Sequence, residues 1–309
     1  MGLSMCHNLL KKPQVVRSVL AYDLNPSCVA KAQEFGAIPM KSLDDLSEHG
    51  PEIDFVVLSL PSCQVSRDVV DQAQALLGLP VYNNPHEITL IDTSTISPTV
   101  SREIANRVTT KPSPSNTKFT FADAPVSGGV MGAKNATLTF MVGGPKHTFD
   151  RTKPLLECMG KNIFHCGDYG TGSIAKICNN LTLVGQMIGV CEAMNLGTTL
   201  GMDPKLLANV MTVSTAKSWS SEGCNPHPVA AEINKGPACR GYQGGFGASL
   251  MLKDVKLACQ VASEAKVALP VGSVGKDLYQ IIEHMGHGNK DFGVMLQLLA
   301  GNLDKLPKQ

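Results

Sequence analysis

The sequence predicts an α/β fold, with a parallel-sheet domain in the first half joined by one long helix to an all-α domain. Three observations carry that prediction. From Ser18 to Met159, short apolar runs bounded by turn residues alternate with amphipathic segments, the pattern of βαβ units on a parallel sheet. In Gly170–Leu200, proline-free from Ser173 onward, apolar residues recur at Ile174, Ile177, Leu181, Val184, Ile188 and Cys191. Those steps of three and four keep one face of a helix, and about 28 helical residues rise roughly 42 Å, enough to pass from one domain to the next. After Asp203-Pro204 the chain reads as helical segments to its end. The predicted division is 1–169 and 170–309, the second part including the connecting helix 173–200.

Taken in order, the first half opens on a stretch, residues 1–22, that has no acid and holds Lys11, Lys12 and Arg17. That composition superficially suits a transit peptide; we read it as a helix over Leu3–Lys11 and a strand over Ser18–Tyr22. Ser27–Phe35 then reads as helix, Phe55–Leu60 (FVVLSL) as buried strand, Val65–Leu77 as helix and Thr89–Ile91 as strand. Ser97 caps a helix that Pro98 opens and that runs through Arg107, since proline suits the first helical position. Thr109–Lys118 (TTKPSPSNTK) reads as a polar surface loop. Thr137–Val142 reads as strand, His147–Met159 as helix and Asn162–Cys166 as a short strand before the long helix.

Composition narrows the function classes. The chain has 309 residues, 43% hydrophobic and 17% charged, a globular profile long enough for two domains. A net charge of +1 gives no field to gather nucleic acid or an anionic membrane. The longest apolar segment, around Leu181–Val190, is expected to fall short of the ~18 residues a spanning helix needs. Its Gly185 and Gly189 therefore suggest close packing of soluble helices. Ten cysteines with no C-x-x-C pair argue for reduced thiols and against a disulfide framework or a zinc site. His284-Met-Gly-His287 reads as a surface or helix-end feature, so no metal is expected. Asn135-Ala-Thr137 matches a glycosylation acceptor without other signs of secretion.

Three local patterns carry chemistry. Asp23 ends its strand in Leu20-Ala-Tyr-Asp23; in a dinucleotide fold such an acid accepts hydrogen bonds from the adenosine ribose and favours NAD over NADP. It normally lies about 20 residues after a G-x-G-x-x-G turn, and Gly2 stands 21 residues before it, in the place of the third glycine. Asp123-Ala-Pro-Val-Ser-Gly-Gly129 offers the Ser127 hydroxyl and two residues, Gly128 and Gly129, without a Cβ to bar a ligand from their N–H groups. It reads equally as a carboxylate cradle or a tight turn. Lys176 and Asn180, an i,i+4 pair at the start of the long helix, share one face; they are either a solvated pair or a proton donor–acceptor beside an orienting amide. Gly170-Thr-Gly172-Ser-Ile-Ala175 also fits G-x-G-x-x-A, but the long helix leaves no room for the second strand of that fingerprint, so it is not read as the nucleotide site.

The segments FADAPVSGGV, LTFMVGG, KICNN, EAMNLG, SWSS, YQGGFG and the pair Lys253-Asp254 together resemble the β-hydroxyacid dehydrogenases. Within that superfamily, which includes 6-phosphogluconate dehydrogenase, the resemblance is to the 3-hydroxyisobutyrate dehydrogenase family and runs over nearly the whole chain. It implies a Rossmann-type dinucleotide-binding domain followed by an all-helical substrate and dimerisation domain. It further implies NAD-dependent oxidation of 3-hydroxyisobutyrate to methylmalonate semialdehyde in valine breakdown, a mitochondrial location and a homodimer or homotetramer. Lys176 matches the family's catalytic lysine, Asn180 the residue orienting the small β-hydroxy acid, and Ser127, Gly128 and Gly129 its carboxylate-binding turn. Leu60, Pro61 and Thr95 match cofactor-lining positions, and Lys253 a lysine at the mouth of the site. Trp219 lines the substrate pocket or belongs to the core.

Two departures stand out. Ser62-Cys63-Gln64-Val65 occupies the stretch where the family usually carries an asparagine. The expected first strand and first two glycines of the nucleotide turn are not in the sequence before Gly2, which reads as an N-terminally truncated domain. The competing expectations are an inactive scaffold of the same fold and an NADPH-linked semialdehyde reductase, the latter opposed by Asp23.

Overall fold

In the computed structural model, which describes residues 1–79, 86–115 and 117–307, the chain falls into two compact units, Met1–Lys176 and Ile177–Gln309.

The first unit runs α1 (Gly2–Leu10), β1 (Leu20–Ala21), α2 (Pro26–Glu34), β2 (Ile38–Pro39), α3 (Leu46–His49), β3 (Phe55–Leu58), α4 (Cys63–Leu77) and β4 (Glu87–Asp92). It continues with α5 (Pro98–Thr110), β5 (Lys118–Asp123), β6 (Val126–Ser127), α6 (Gly129–Lys134), β7 (Leu138–Gly143), α7 (Lys146–Leu156) and β8 (Gly160–Gly167). Every predicted element from Ser27 to Cys166 is present with ends shifted by a few residues. In the predicted loop, Asn116 lies outside the described residues, and the first two positions belong to α5.

Two sheets form. β1 pairs in parallel with β2 over two residues, and β3, β4 and β5 form the parallel part of a six-stranded sheet. The strand expected over Ser18–Tyr22 is shortened to Leu20–Ala21, paired with the two-residue β2, where the Ile38 and Met40 N–H groups on either side of Pro39 donate to the Val19 and Ala21 carbonyls at 2.8 and 2.9 Å. The larger sheet is mixed rather than wholly parallel: β7 runs antiparallel to β5 and β6, and β8 is parallel to β7. β4 is buried along almost its whole length, as a strand covered on both faces must be. Ile88 and Leu90 face Val70, Leu77, Ile104 and Val108 of α4 and α5. Ile91 points the other way, towards Met5 and Leu9 of α1 and Leu138 and Phe140 of β7. Each such fully buried side chain contributes about 1.5–3 kcal/mol.

A single helix, α8 (Thr171–Thr199), leads into the second unit, which continues with α9 (Pro204–Val213), α10 (Trp219–Glu222), α11 (Ala248–Glu264), α12 (Pro270–His284) and α13 (Met295–Leu299). No strand occurs among its described residues. Val184, Ile188 and Cys191 of the predicted stripe are buried in its core, but so are Met187, Val190 and Met194, so the stripe is wider than expected. Ile174, the first member of the stripe, is 39% exposed. An 18-residue window of α8 reaches a mean hydropathy of 1.2, long and apolar enough by composition to cross a membrane, where the sequence expectation was a segment too short. In the second unit its apolar residues pack instead on α11 and α12.

Of the two glycines expected to allow close helix packing, Gly185 faces α12, where a Cβ would lie 3.5 Å from Val271 Cγ1, an ordinary contact; the tighter approach is at glycines of α12. A Cβ on Gly189 would meet nothing within 4 Å, whereas one on Gly272 of α12 would lie 2.8 Å from Leu181 Cδ1 and one on Gly275 3.2 Å from Val184 Cγ2. The His pair is also split. His284 ends α12 at the surface, but Gly286, at φ 82°, turns the chain inward, and His287 is buried, its N–H bonded to the Ile282 carbonyl.

Asp291 is the buried acid that closes this core. Its Oδ2 accepts the Phe246 N–H at 2.9 Å, and its Oδ1 accepts the Gly293 N–H at 3.0 Å and the Cys224 thiol at 3.7 Å. Burial pushes its carboxyl up to about 6, against these hydrogen bonds. A folded-state pKa above the unfolded value of ~3.9 means the stabilisation is complete below pH ~3.9 and lost as pH rises through about 6. Relative to Asp291→Asn, the native chain should therefore lose on the order of 2–3 kcal/mol between pH 4 and pH 7.5. Urea unfolding of both proteins at the two pH values checks this; parallel pH dependences would show that Asp291 titrates alike in folded and unfolded chains.

Candidate functional site

The expected cofactor residues sit at chain positions that suit a dinucleotide. Gly2 opens α1, whose first turn holds no acid and has no side-chain cap, leaving its N–H groups to an anion such as a pyrophosphate. A Cβ on Gly2 would stand 3.7 Å from Ser59 Cβ, so this helix start lies beside the end of β3. Leu60 and Pro61 follow β3, and Thr95 follows β4. The Leu60 N–H donates to Ser94 Oγ at 2.7 Å, which ties the two strand ends together. Open α/β sheets take ligands just beyond such carboxyl ends of parallel strands. Asp23 is exposed past β1, its carboxylate accepting the Asn25 N–H at 2.8 Å. Ser62, where the family pattern differs, caps α4 by accepting the Val65 N–H.

The turn expected to bind substrate is built by strand pairing. Val126 and Ser127 lie opposite Phe140 and Thr139 of β7. Gly128 and Gly129 follow at φ 130° and 62°, conformations that strain any other residue. A Cβ on Gly129 would meet nothing within 4 Å, so there the conformation, and not space, demands glycine. Both glycines are exposed.

The start of α8 is held on the same strands. Asp123 Oδ1 accepts the Gly170 N–H at 2.7 Å and its Oδ2 accepts the Ser173 N–H at 2.8 Å. Burial raises the carboxyl of Asp123, partly offset by these two bonds. A Cβ on Gly172 would lie 2.1 Å from the Met141 carbonyl oxygen, and one on Gly143 2.5 Å from Asp123 Oδ1. Gly172 thus serves a close helix–strand contact, whereas Gly170, at φ 84°, lies against α5, where a Cβ would stand 2.9 Å from the Pro98 carbonyl oxygen. Lys176, near the start of α8, is only 8% exposed; a solvated lysine is excluded.

In the second unit, Asn180 is 2% exposed, and its Nδ2 donates to Asp254 Oδ2 at 2.6 Å. Because a carboxylate only accepts, this bond fixes the amide's orientation, and Oδ1 becomes its acceptor end, where the Asn179 amide donates at 3.0 Å. Lys253 Nζ lies 3.3 Å from Asp254 Oδ1. Sequence reasoning took Asp254 only as part of a resemblance motif. The available signal was its register: it falls on the same α11 face as Met251, Val255 and Ala258, and an acid on an apolar face needs a partner. Trp219 is 55% exposed and stacks on Phe292 at 6.2 Å, so it is not a core residue.

Comparison with known proteins decides the family. Residues 1–167 match the NAD binding domain of 6-phosphogluconate dehydrogenase. Residues 170–299 match the family described as NAD-binding of NADP-dependent 3-hydroxyisobutyrate dehydrogenase. The probable mitochondrial 3-hydroxyisobutyrate dehydrogenase of Dictyostelium discoideum is 41% identical over 98% of this chain and 88% of its own length. The chain belongs to the 3-hydroxyisobutyrate dehydrogenase family. It is thus an oxidoreductase with an NAD-binding domain. Family membership leaves the substrate open, because the NAD-dependent L-serine dehydrogenase of Pseudomonas aeruginosa is 37% identical over 96% of this chain and 94% of its own length. The structure of Mycobacterium tuberculosis 3-hydroxyisobutyrate dehydrogenase with L-serine superposes with a TM-score of 0.82 at 34% identity, covering 97% of this chain and 95% of that one.

The Asn180–Asp254 bond is buried and charge-assisted, so truncating either partner leaves the other unsatisfied. A double-mutant cycle over Asn180→Ala and Asp254→Ala, followed by urea unfolding, should give a coupling of about 1.5–3 kcal/mol. Additive effects would show that the two residues act separately.

Proposed function

We propose that the chain oxidises the primary alcohol of 3-hydroxyisobutyrate to methylmalonate semialdehyde with NAD, a step of valine breakdown. What carries the reading is the buried Lys176 at the start of α8, four residues before an asparagine whose amide is oriented by Asp254. Residues 1–169 form the dinucleotide-binding domain and 170–309 the substrate and dimerisation domain. Bound NAD supplies the hydride acceptor. Ser127, Gly128 and Gly129 hold the substrate carboxylate through a hydroxyl and backbone N–H groups. Lys176, as the neutral amine, takes the hydroxyl proton as the carbinol C–H bond breaks, and Asn180 fixes the alcohol beside it. Gly2, Leu60, Pro61 and Thr95 line the cofactor, Lys253 stands at the mouth, and Asp23 binds the ribose and repels a 2′-phosphate.

The chain acts as a homodimer or homotetramer. Supporting this, Leu206, Val210 and Val213 on α9, and Val271, Val274 and Ile281 on α12, are exposed apolar residues at helical spacing. A mitochondrial location is proposed from the names of the relatives. L-serine is the second reading, favoured by the Pseudomonas relative; it shares the hydroxymethyl and carboxylate groups and differs at the carbon between them.

Steady-state kinetics with 3-hydroxyisobutyrate and L-serine should give the higher kcat/KM for 3-hydroxyisobutyrate, with NAD preferred to NADP. Lys176→Ala should lower kcat by about 10²–10⁴-fold with NAD affinity unchanged by calorimetry. Full turnover by that variant, or none by a folded wild type that binds NAD, would sink the reading.

A further inference from the structure

One carboxylate stands at the root of both halves of the proposed chemistry in the first unit. Through its main chain, Asp123 leads in four residues to Ser127 and the glycines of the turn. That path is stiff: the Ala124 N–H donates to the Asp92 carbonyl at 2.7 Å, the Met141 N–H to the Pro125 carbonyl at 3.1 Å, and Val126 and Ser127 pair with β7. Through its side chain, the same residue holds the start of α8, one oxygen on Gly170 and the other on Ser173, and Lys176 follows three residues later. The contact is too close to shift without cost, because Gly143 and Gly172 have no room for a Cβ. Asp123 is itself 1% exposed, so bulk solvent is kept from these bonds.

We propose that Asp123 is a positioning residue, whose carboxylate sets the approach of Lys176 to the Ser127–Gly129 turn. The inference rests on the reading of Lys176 as proton acceptor and of that turn as the carboxylate site. Its physical content is registry. Of the two N–H groups that Asp123 accepts, that of Ser173 is a first-turn donor left open by the helix itself and that of Gly170 immediately precedes the helix, so the carboxylate is the part that fixes where the helix begins. A shift of that start carries to Lys176 within one turn, about 5 Å along the axis. The turn that binds substrate, held by β7, stays in place. Misalignment therefore affects the reacting geometry more than substrate capture.

Asp123→Asn tests this, because an amide keeps the shape but offers one acceptor where the carboxylate offers two. Folded Asp123→Asn enzyme, verified by circular dichroism and urea unfolding, should lose about 10–100-fold in kcat. Its KM for 3-hydroxyisobutyrate should stay within about threefold of wild type, on the same reasoning that capture is spared, and its NAD affinity should be unchanged. The deuterium isotope effect on kcat, measured with substrate labelled at the carbinol carbon, should rise as the chemical step slows. Gly143→Ala, which displaces the carboxylate without removing it, should show the same pattern more weakly, and supplies the test if Asp123→Asn does not fold.

A wild-type kcat and isotope effect in the folded variant, with only a lower unfolding midpoint, would overturn the proposal and leave Asp123 a stabilising cap. So would a parallel loss of substrate and NAD binding. Lys176→Ala separates the two readings. If it turns over normally, the assignment of the base fails whatever Asp123 does; if it is inactive while Asp123→Asn is normal, only the positioning role fails.

Discussion

A helix leaves its first backbone N–H groups without partners inside itself. At the start of α8, the carboxylate of Asp123, 50 residues before Ser173, accepts one of them and the neighbouring Gly170 N–H as well. Four other helices solve the same problem locally: Asn25, Ser62, Asp203 and Ser218 each accept an N–H two or three residues on. A local cap fixes a helix end relative to its own chain. A cap donated by a strand fixes it relative to the sheet, and the mixed sheet makes that possible. Because β7 runs antiparallel to β5, Gly143 lies directly opposite Asp123, and its missing side chain leaves the space into which the carboxylate turns.

The second unit repeats the device with different chemistry. There a buried acid on α11, Asp254, orients a buried amide on α8, and a second buried acid, Asp291, ties the Phe246 backbone just before α11 begins. Both acids lie on otherwise apolar surfaces. In each case removing the partner would strand a polar group at greater cost than the bond's net worth. Such bonds add modestly to stability and strongly to uniqueness of geometry, which is what a proton-transfer site requires.

The legible part of this structure was the part with a period. Strands and helices of the first unit could be read because FVVLSL and its companions alternate with amphipathic runs, and α8 because proline-free apolar spacing persists across it. Single contacts with no period were not legible. Spacing marked Gly185 and Gly189 as the helix-packing glycines, yet the tighter approach belongs to Gly272 and Gly275: a Cβ on Gly189 would meet open space, and one on Gly185 would make only ordinary contact with Val271. His287 sits in the core because Gly286 takes a positive φ, and nothing in His-Met-Gly-His states which side of the turn is buried. The use of Gly172 in the nucleotide-like Gly170-Thr-Gly172, close approach of its backbone to the Met141 carbonyl, depends on a strand 31 residues earlier. For the proposed site, residue types were readable from resemblance, while the acids that orient them, Asp123 and Asp254, show their role only when hydrogen-bond partners are in view.

On the proposed reading, the described groups address only the two ends of a substrate. A turn of backbone N–H groups and one hydroxyl recognises a carboxylate, and a lysine with an amide recognises an alcohol. 3-Hydroxyisobutyrate and L-serine present both ends identically and differ by a methyl against an ammonium on the carbon between. A methyl group is held by apolar contact worth about 1 kcal/mol, whereas a buried ammonium without an acceptor is penalised far more heavily. The relatives of this chain can therefore share the catalytic pair and the cradle and still diverge in substrate. The choice falls to whichever side chains wall in that middle carbon, and a single acceptor placed there would be enough to reverse it.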